Sequence, residues 1–73
     1  MITDEEIENV KIEISNVLRQ TLKQNKLSIR RLAMNLGMQH PQVLRITSCE
    51  NYTINNLIKI LDEAGLKIEV VKK

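Results

Sequence analysis

"LAMNLGMQHPQVLRI", residues 32–46, contains two short segments with the apolar spacing of helices, one on each side of Gly37. The first segment must end at Gly37, because glycine readily takes the left-handed conformation that terminates helices. The second segment carries Pro41 near its start. Proline loses nothing there if Gln39 is the N-cap, since the first helical N–H groups have no intrahelical acceptor. The stretch therefore predicts two helices joined by a tight turn.

Each of these two helices has one apolar face. Ser28 is a suitable N-cap for the earlier helix, predicted over residues 28–36. The later helix, predicted over residues 39–47, buries Val43 and Ile46. The residues assigned to the buried face of the earlier helix are Ile29, Leu32, Ala33 and Leu36. Two short helices, a glycine turn and an outward polar face make a helix-turn-helix, and Met34 and Met38 are expected to fill its core.

A long first helix, predicted over residues 3–24, precedes this motif. Thr3 is its expected N-cap, and Glu6 completes a capping-box pattern. Apolar residues recur at three- and four-residue spacing and predict one buried stripe, made of Ile7, Val10, Ile14, Val17, Leu18 and Leu22. Ile12 falls outside the stripe. The helix is long for so small a chain, so its N-terminal turns are expected either to cap the core or to pack against a second copy.

A fourth helix and a strand are predicted to close the chain. The helix spans residues 53–64, with Thr53 as N-cap and Gly65 as terminator, and faces Ile54, Leu57, Ile58 and Leu61 inward. Residues 66–71 then alternate Leu66, Ile68 and Val70 against Lys67, Glu69 and Val71, which is strand periodicity. A lone strand needs a pairing partner, and no other strand is evident. A homodimer joined through this strand is the expected solution.

Length and composition narrow the class of protein. The chain has 73 residues, with one cysteine and one histidine, so a single domain over residues 1–73 is expected, without a disulfide or a multi-cysteine zinc site. No apolar run is long enough to cross a bilayer, and the acidic N-terminus lacks the basic region of a secretory signal. A cytoplasmic protein without metal or cofactor follows as the expectation. Enzyme function is not expected, because no catalytic constellation or phosphate loop is present.

Charge is strongly segregated along the chain. Residues 1–18 hold five acidic residues and one basic residue, whereas residues 19–45 hold six basic residues and no acidic one. A solvated basic face is one interpretation. The other is a surface that faces phosphates, because clustered lysine and arginine displace the counterions of nucleic acid.

At this point the sequence resembles the lambda-repressor/Cro-like (XRE-type) helix-turn-helix family of bacterial and phage regulators. The resemblance covers roughly residues 14–65 and depends on "LSIRRLAMNLGMQHPQVLRI", residues 27–46. It implies a mainly α fold with four helices and, from "LIKILDEAGLKIEV", a short C-terminal β-strand. That ending is similar to a subgroup of antitoxins and small phage or plasmid repressors.

The sequence departs from the family pattern in three places. Ile29 stands where the family usually has a phosphate-binding glutamine, and Gln39 stands where the recognition helix is usually capped by serine or threonine. The segment "TSCEN", residues 47–51, replaces the usual Glu-Asn-Gly.

The resemblance implies two sets of contacts with double-stranded DNA. Base edges in the major groove would be reached from the recognition helix, by Gln39, His40, Pro41, Gln42, Leu44 and Arg45. Phosphates would be held by Lys23, Lys26, Ser28, Arg30, Arg31, Asn51, Tyr52 and Thr53. Alternatives stay open: a surface salt bridge or phosphate contact for Arg45, a plain surface role for His40, packing against the first helix for Leu44, capping for Gln39, and cover of the core edge for Tyr52.

Three functions are compatible with these residues. The first is a homodimeric, sequence-specific DNA-binding regulator, acting as a repressor. The second is an antitoxin that binds DNA and also neutralises a partner toxin. The third is a protein-interaction module that has lost DNA binding, an interpretation motivated by Ile29 and the missing Glu-Asn-Gly.

Overall fold

Four helices make up the fold, in a computed structural model that describes residues 1–73. They are α1 (Asp4–Gln24), α2 (Ile29–Leu36), α3 (His40–Thr47) and α4 (Ile54–Glu63). The predicted mainly α, four-helix architecture is confirmed, and the helix limits differ from the predicted ones by no more than a residue at either end. No helix combines the length and apolar character needed to cross a membrane.

Side chains cap the N-termini of three helices as the sequence predicts. The hydroxyl oxygens of Thr3, Ser28 and Thr53 each accept a hydrogen bond from the backbone N–H three residues on, at 3.0–3.2 Å. Each bond satisfies one of the N–H groups that the first helical turn leaves free. Glu6 lies at the predicted capping-box position, where its carboxylate accepts from the Thr3 hydroxyl at 3.3 Å.

All four helices end in the same way. The residue that breaks each helix has a positive φ, and the next N–H donates to the carbonyl oxygen five positions earlier, at 2.8–2.9 Å. This is the Schellman arrangement. Two of the positions are glycines and two are not: the residues are Lys26 (φ 54°), Gly37 (φ 66°), Cys49 (φ 58°) and Gly65 (φ 85°).

The core lies where the helix-turn-helix meets the two flanking helices. α3 packs against α1, α2 and α4, and α2 also packs against α4. Each helix contributes to one cluster of buried apolar residues, which are Leu18, Leu22, Leu32, Ala33, Val43, Ile46, Leu57, Ile60, Leu61 and Ala64. Because α3 contacts all three other helices, the position of its outer face is set by the whole domain.

The predicted apolar stripe of α1 is only partly buried. Leu18 and Leu22 enter the core, and Ile14 packs at its edge, but Ile7, Val10 and Val17 are exposed. The prediction was wrong for Ile7 and Val10 because the rest of the domain covers only the C-terminal half of the helix. It was wrong for Val17 because this residue lines an open groove beside Leu66 and Ile68. The N-terminal turns therefore do not cap the core. Ile12 is exposed as well.

The buried face of α4 is rotated from the predicted one. Leu57 and Leu61 are buried as expected, but Ile60 is fully buried while Ile54 and Ile58 are 60% and 51% exposed. In a helix with apolar residues at 54, 57, 58, 60 and 61, spacing alone fits either face. Met34 of α2 is also exposed, at 67%, and does not fill the core as predicted, whereas Met38 packs against it.

The predicted strand over residues 66–71 is not formed in this chain. Leu66 packs against the core and is half-buried, but exposure then rises, to 42% at Ile68 and 96% at Val70. No second strand exists within the chain to receive the backbone hydrogen bonds of this segment, which is the physical reason that no β-structure forms. We call residues 66–71 the C-terminal segment.

Candidate nucleic-acid interface

Two side chains of α1 hold the C-terminal end of α3. The carbonyl oxygen of Thr47 accepts hydrogen bonds from Ser15 Oγ at 2.8 Å and from Arg19 Nη2 at 2.6 Å. Helix C-termini have free carbonyl groups and carry partial negative charge, so a cationic donor is favourable there. The Thr47 hydroxyl donates back to the Leu44 carbonyl oxygen at 2.9 Å. These bonds fix the outer face of α3 relative to α1.

This role of Ser15 and Arg19 was not predicted from the sequence. Arg19 counted there only as one of the basic residues of the basic stretch. A signal was available, because residues 15 and 19 are four apart on one helix and therefore share a face. The partner, a backbone carbonyl 28 residues away, has no signature in the sequence.

The side chain of Gln42, which was predicted to contact bases, caps the start of α3. The Gln39 backbone N–H donates to Gln42 Oε1 at 3.1 Å, which is one half of a capping box. The amide oxygen of Gln42 is therefore occupied within its own helix, and its Nε2 group remains as a donor. His40 and Pro41 occupy the first two helical positions, as predicted, and both are exposed.

Gln42 and Arg45 of α3 face a polar cleft shared with the start of α4. The cleft has a volume of about 310 Å³, and its lining residues are Gln42, Arg45, Asn51, Tyr52, Thr53 and Asn56. Two predicted base-contacting residues and three predicted phosphate-contacting residues thus meet in one place. Asn56, which was not among the predicted site residues, completes the lining. Its position three residues after the Thr53 N-cap was the available signal.

The α4 side of the cleft has a defined local structure. Asn51 Oδ1 accepts a hydrogen bond from Lys11 Nζ at 3.0 Å, which ties the loop before α4 to α1. Tyr52 is half-buried and packs against the core, so it does cover the core edge, while it also lines the cleft. Burial, with a smaller contribution from Cys49, raises the pKa of the Tyr52 phenol. Its hydroxyl is therefore a neutral hydrogen-bonding group near pH 7.

The remaining predicted phosphate ligands lie outside the cleft. Lys23, Lys26, Arg30 and Arg31 are exposed residues of α1, α2 and the turn between them, and the Ser28 hydroxyl oxygen caps α2 by accepting from the Arg31 N–H. The predicted base contacts Gln39, His40, Pro41 and Leu44 also lie outside it, all exposed on or just before α3.

No carboxylate neutralises these basic side chains. The one ion pair of the chain joins Lys67 to Glu69, far along the sequence in the C-terminal segment. Arg45, Arg30, Arg31 and the two lysines near α2 therefore have no acidic partner, and the salt-bridge alternative for Arg45 is not realised within the chain. The unpaired cations leave this surface able to attract an anion.

No metal site accompanies the cleft. No group of three or more His, Cys, Asp or Glu residues is placed to hold a metal ion. Cys49 lies at the end of α3, half-buried, in the left-handed conformation described above.

Comparison with known proteins agrees with this architecture. The sequence matches the family model HTH_37, described as "Helix-turn-helix domain", over residues 1–73. No curated protein and no solved structure matches the chain significantly. The family model covers every element described above, including the α2–turn–α3 unit and the helices that support it. The chain belongs to this helix-turn-helix domain family.

Proposed function

We propose that this protein is a sequence-specific double-stranded DNA-binding regulator that acts as a homodimeric repressor in the cytoplasm. It is a binding protein rather than an enzyme. The observation that carries the proposal is the cleft, in which Arg45 and Gln42 of α3 lie beside the N-terminus of α4 and no carboxylate neutralises Arg45. Base readout and phosphate contact would then come from one surface.

Each residue of the cleft has a role suited to its chemistry. Arg45 would bind a guanine through O6 and N7, the commonest specific contact in the major groove. Gln42 would donate through Nε2, because its oxygen is held by the Gln39 N–H. Asn51 and Thr53, with the free N–H groups at the start of α4, would hold a backbone phosphate. Leu44, exposed on the same helix, would contact a thymine methyl group.

The basic residues outside the cleft would fix the orientation of the domain on the duplex. Arg30, Arg31, Lys23 and Lys26 would contact phosphates on the α2 side. Ile29 cannot replace the glutamine that the related family uses for this purpose, so the flanking arginines take over the contact. The energetic consequence is an affinity that falls with salt, with a slope of log K against log salt of about −0.9 per neutralised phosphate.

Selection of bound duplexes from a random DNA library, with the purified chain, tests the proposal. We expect an inverted repeat whose half-sites lie about one helical turn, roughly 34 Å, apart. Enrichment of a single half-site would support sequence-specific DNA binding and contradict the homodimer. No enrichment by a folded protein, or binding that is insensitive to salt, would contradict DNA reading and favour the protein-interaction module.

A second candidate function, the antitoxin, is favoured by the N-terminal half of α1. There Ile7 and Val10 are exposed and take no part in the core. Acidic residues surround them: Asp4, Glu5, Glu6, Glu8 and Glu13. An acidic amphipathic helix is complementary in charge to a basic partner protein, such as a toxin encoded by a neighbouring gene. Val10→Asp would then abolish binding of the purified product of a small neighbouring reading frame and leave DNA binding intact. If the Val10→Asp variant keeps both activities, the antitoxin function is contradicted.

A further inference from the structure

The C-terminal segment forms neither helix nor strand within the chain, and its apolar residues are incompletely covered. Leu66 is anchored on the core, Ile68 is partly exposed and Val70 is almost fully exposed. Lys67 Nζ lies 3.2 Å from Glu69 Oε1, so these two residues share one side of the segment and both project into solvent. Side chains two apart share a face in an extended chain, so Leu66, Ile68 and Val70 would share the opposite side when the segment pairs as a strand.

Two apolar grooves flank Ile68. One, of about 160 Å³, lies towards α1 and is lined by Ile14, Val17, Leu61, Leu66, Lys67 and Ile68. The other, of about 350 Å³, lies towards α4 and is lined by Ile54, Ile58, Asp62, Leu66, Lys67, Ile68 and Val70. These grooves contain several of the apolar residues that the sequence predicted to be buried and the chain leaves exposed, which are Val17, Ile54 and Ile58.

The segment is complementary to a second copy of itself. From these features we infer that two chains pair antiparallel through residues 66–70, with Ile68 opposite the same residue of the other chain on the two-fold axis. This inference rests on the homodimer of the proposed function and specifies its interface. In this register Lys67 lies opposite Glu69 of the other chain, and Glu69 opposite its Lys67. Leu66 lies opposite Val70, so the best-anchored residue of one chain covers the most exposed residue of the other.

This register satisfies the chemistry of both faces. Directly opposite residues have Cβ atoms about 4.5–5.5 Å apart, close enough for cross-strand ion pairs and apolar contacts. A shift by one residue would turn the apolar side of one chain towards solvent. A two-stranded ribbon is marginal by itself, and the two grooves supply the apolar surface that it would pack against.

Charge-reversal variants distinguish ion pairs between two chains from an ion pair within one chain. Lys67→Glu places glutamates at both positions, and Glu69→Lys places lysines at both. Each variant alone creates two like-charge contacts per dimer, so we expect its dimer dissociation constant to rise roughly tenfold or more. An equimolar mixture restores both opposite-charge contacts, but only between chains. We therefore expect the mixture to form a heterodimer about as tightly as the wild-type homodimer, by analytical ultracentrifugation.

Lys59→Glu mixed with Glu63→Lys is the matched control. These exposed α4 residues line neither groove, and the two variants carry the same net charges as the test pair. Preferential heterodimer formation by the control pair would show that net charge alone drives association, and would overturn the assigned register. Failure of the test pair to associate in the mixture would do the same.

Disulfide formation tests the two-fold axis independently. In a Cys49→Ser background, Ile68→Cys should oxidise to a linked dimer, because opposite Cα atoms lie about 4.5–5.5 Å apart in an antiparallel pair and a disulfide spans 4.4–6.8 Å. Val71→Cys should not, since the two thiols would be roughly 20 Å apart along the ribbon. Linkage at 71 and not at 68 would refute the register.

The interface and the DNA-binding function can fail separately. If the charge and cysteine tests succeed while the library selection enriches nothing, the dimer stands and DNA reading does not. If the selection yields an inverted repeat while the mixture and the cysteine tests fail, the protein reads DNA as a dimer built through another surface.

Discussion

Arg19 of α1 is hydrogen-bonded to the main chain of Thr47 at the end of α3, with Nη2 2.6 Å from the carbonyl oxygen. Ser15 Oγ donates to the same oxygen at 2.8 Å. Two side chains one turn apart on the long helix thus converge on one acceptor of the candidate recognition helix. The consequence is that one of the six basic residues of residues 19–45 is held within the protein, which leaves five for contacts with DNA.

Replacement of Arg19 by methionine should therefore affect folding rather than phosphate binding. We expect Arg19→Met to lower the free energy of unfolding by about 1 kcal/mol, because it removes one charged hydrogen bond at an exposed position. The salt slope of DNA binding should not change. Arg31→Met is the matched control: it should leave stability unchanged and reduce the slope by about one. Urea unfolding and binding titrations at several salt concentrations measure both quantities, and a reduced slope for Arg19→Met would make Arg19 a phosphate ligand.

Arg45 and Arg31 should differ in the kind of DNA binding that they support. Arg45→Ala should cost roughly 1–3 kcal/mol against the selected site and relax the preference at one base position, because a bidentate contact to guanine is lost. Arg31→Ala should weaken all duplexes alike, since phosphates carry no sequence information. Fluorescence anisotropy on the selected site and on single-base variants measures the difference. A uniform loss for Arg45→Ala would assign it to a phosphate instead.

Because α1 and α2 end in the same left-handed conformation, removing glycine from one end and adding it to the other should have opposite effects on stability. Gly37→Ala should destabilise the protein by about 1 kcal/mol through its positive φ, since no atom lies within 4 Å of the added Cβ. Lys26→Gly should stabilise it by a few tenths of a kcal/mol, because relief of the left-handed conformation outweighs the greater flexibility of glycine in the unfolded chain. Thermal unfolding of the two variants checks the prediction. Equal destabilisation by both would contradict the common termination.

The orientation of α4 is tested by two isoleucines two positions apart. Ile60 is fully buried, so Ile60→Ala should cost about 2–5 kcal/mol at any protein concentration. Ile58 lines the larger groove at the surface, so Ile58→Ala should cost less than about 1 kcal/mol, and its effect should increase with protein concentration as the dimer forms. Urea unfolding at two concentrations distinguishes them. The reverse ranking would restore the face that the sequence predicted.

Tyr52 provides a spectroscopic test, because it is the sole aromatic residue. Its pKa is raised in the folded chain by burial and then by Cys49, above the ordinary value of about 10. The folded state therefore holds the phenolic proton more tightly than the unfolded state. Stability from this group is complete below pH 10 and is lost as the pH rises through the folded pKa.

Absorbance of the tyrosinate ion, followed as the pH rises, measures this shift directly. We expect Cys49→Ser to lower the Tyr52 pKa while leaving it above the unfolded value, because burial is the larger cause. Tyr52→Phe should remove part of the alkaline loss of stability. An unshifted titration in the folded protein would place Tyr52 in solvent rather than at the core edge.

Local sequence signals were enough for the helices and their ends. Thr3, Ser28 and Thr53 cap their helices through bonds to N–H groups three residues away, and Gly37 terminates α2 through its own conformation. Such interactions lie within a few neighbouring residues, and their energies do not depend on the rest of the fold. Local signals also predicted the helix-turn-helix, the outward face of α3 and the segregation of charge.

Packing between distant elements settled the rest. Apolar spacing identifies the residues that favour burial, but the area that neighbouring helices can cover decides which of them are buried. This left Ile7, Val10 and Val17 of α1 exposed and turned Ile60 rather than Ile58 into the core. The bonds from Ser15 and Arg19 to Thr47 join residues far apart in the chain, and the cleft brings Arg45 of α3 beside Asn56 of α4. These contacts exist only once four helices share a core, because burial and long-range hydrogen bonding depend on the three-dimensional arrangement.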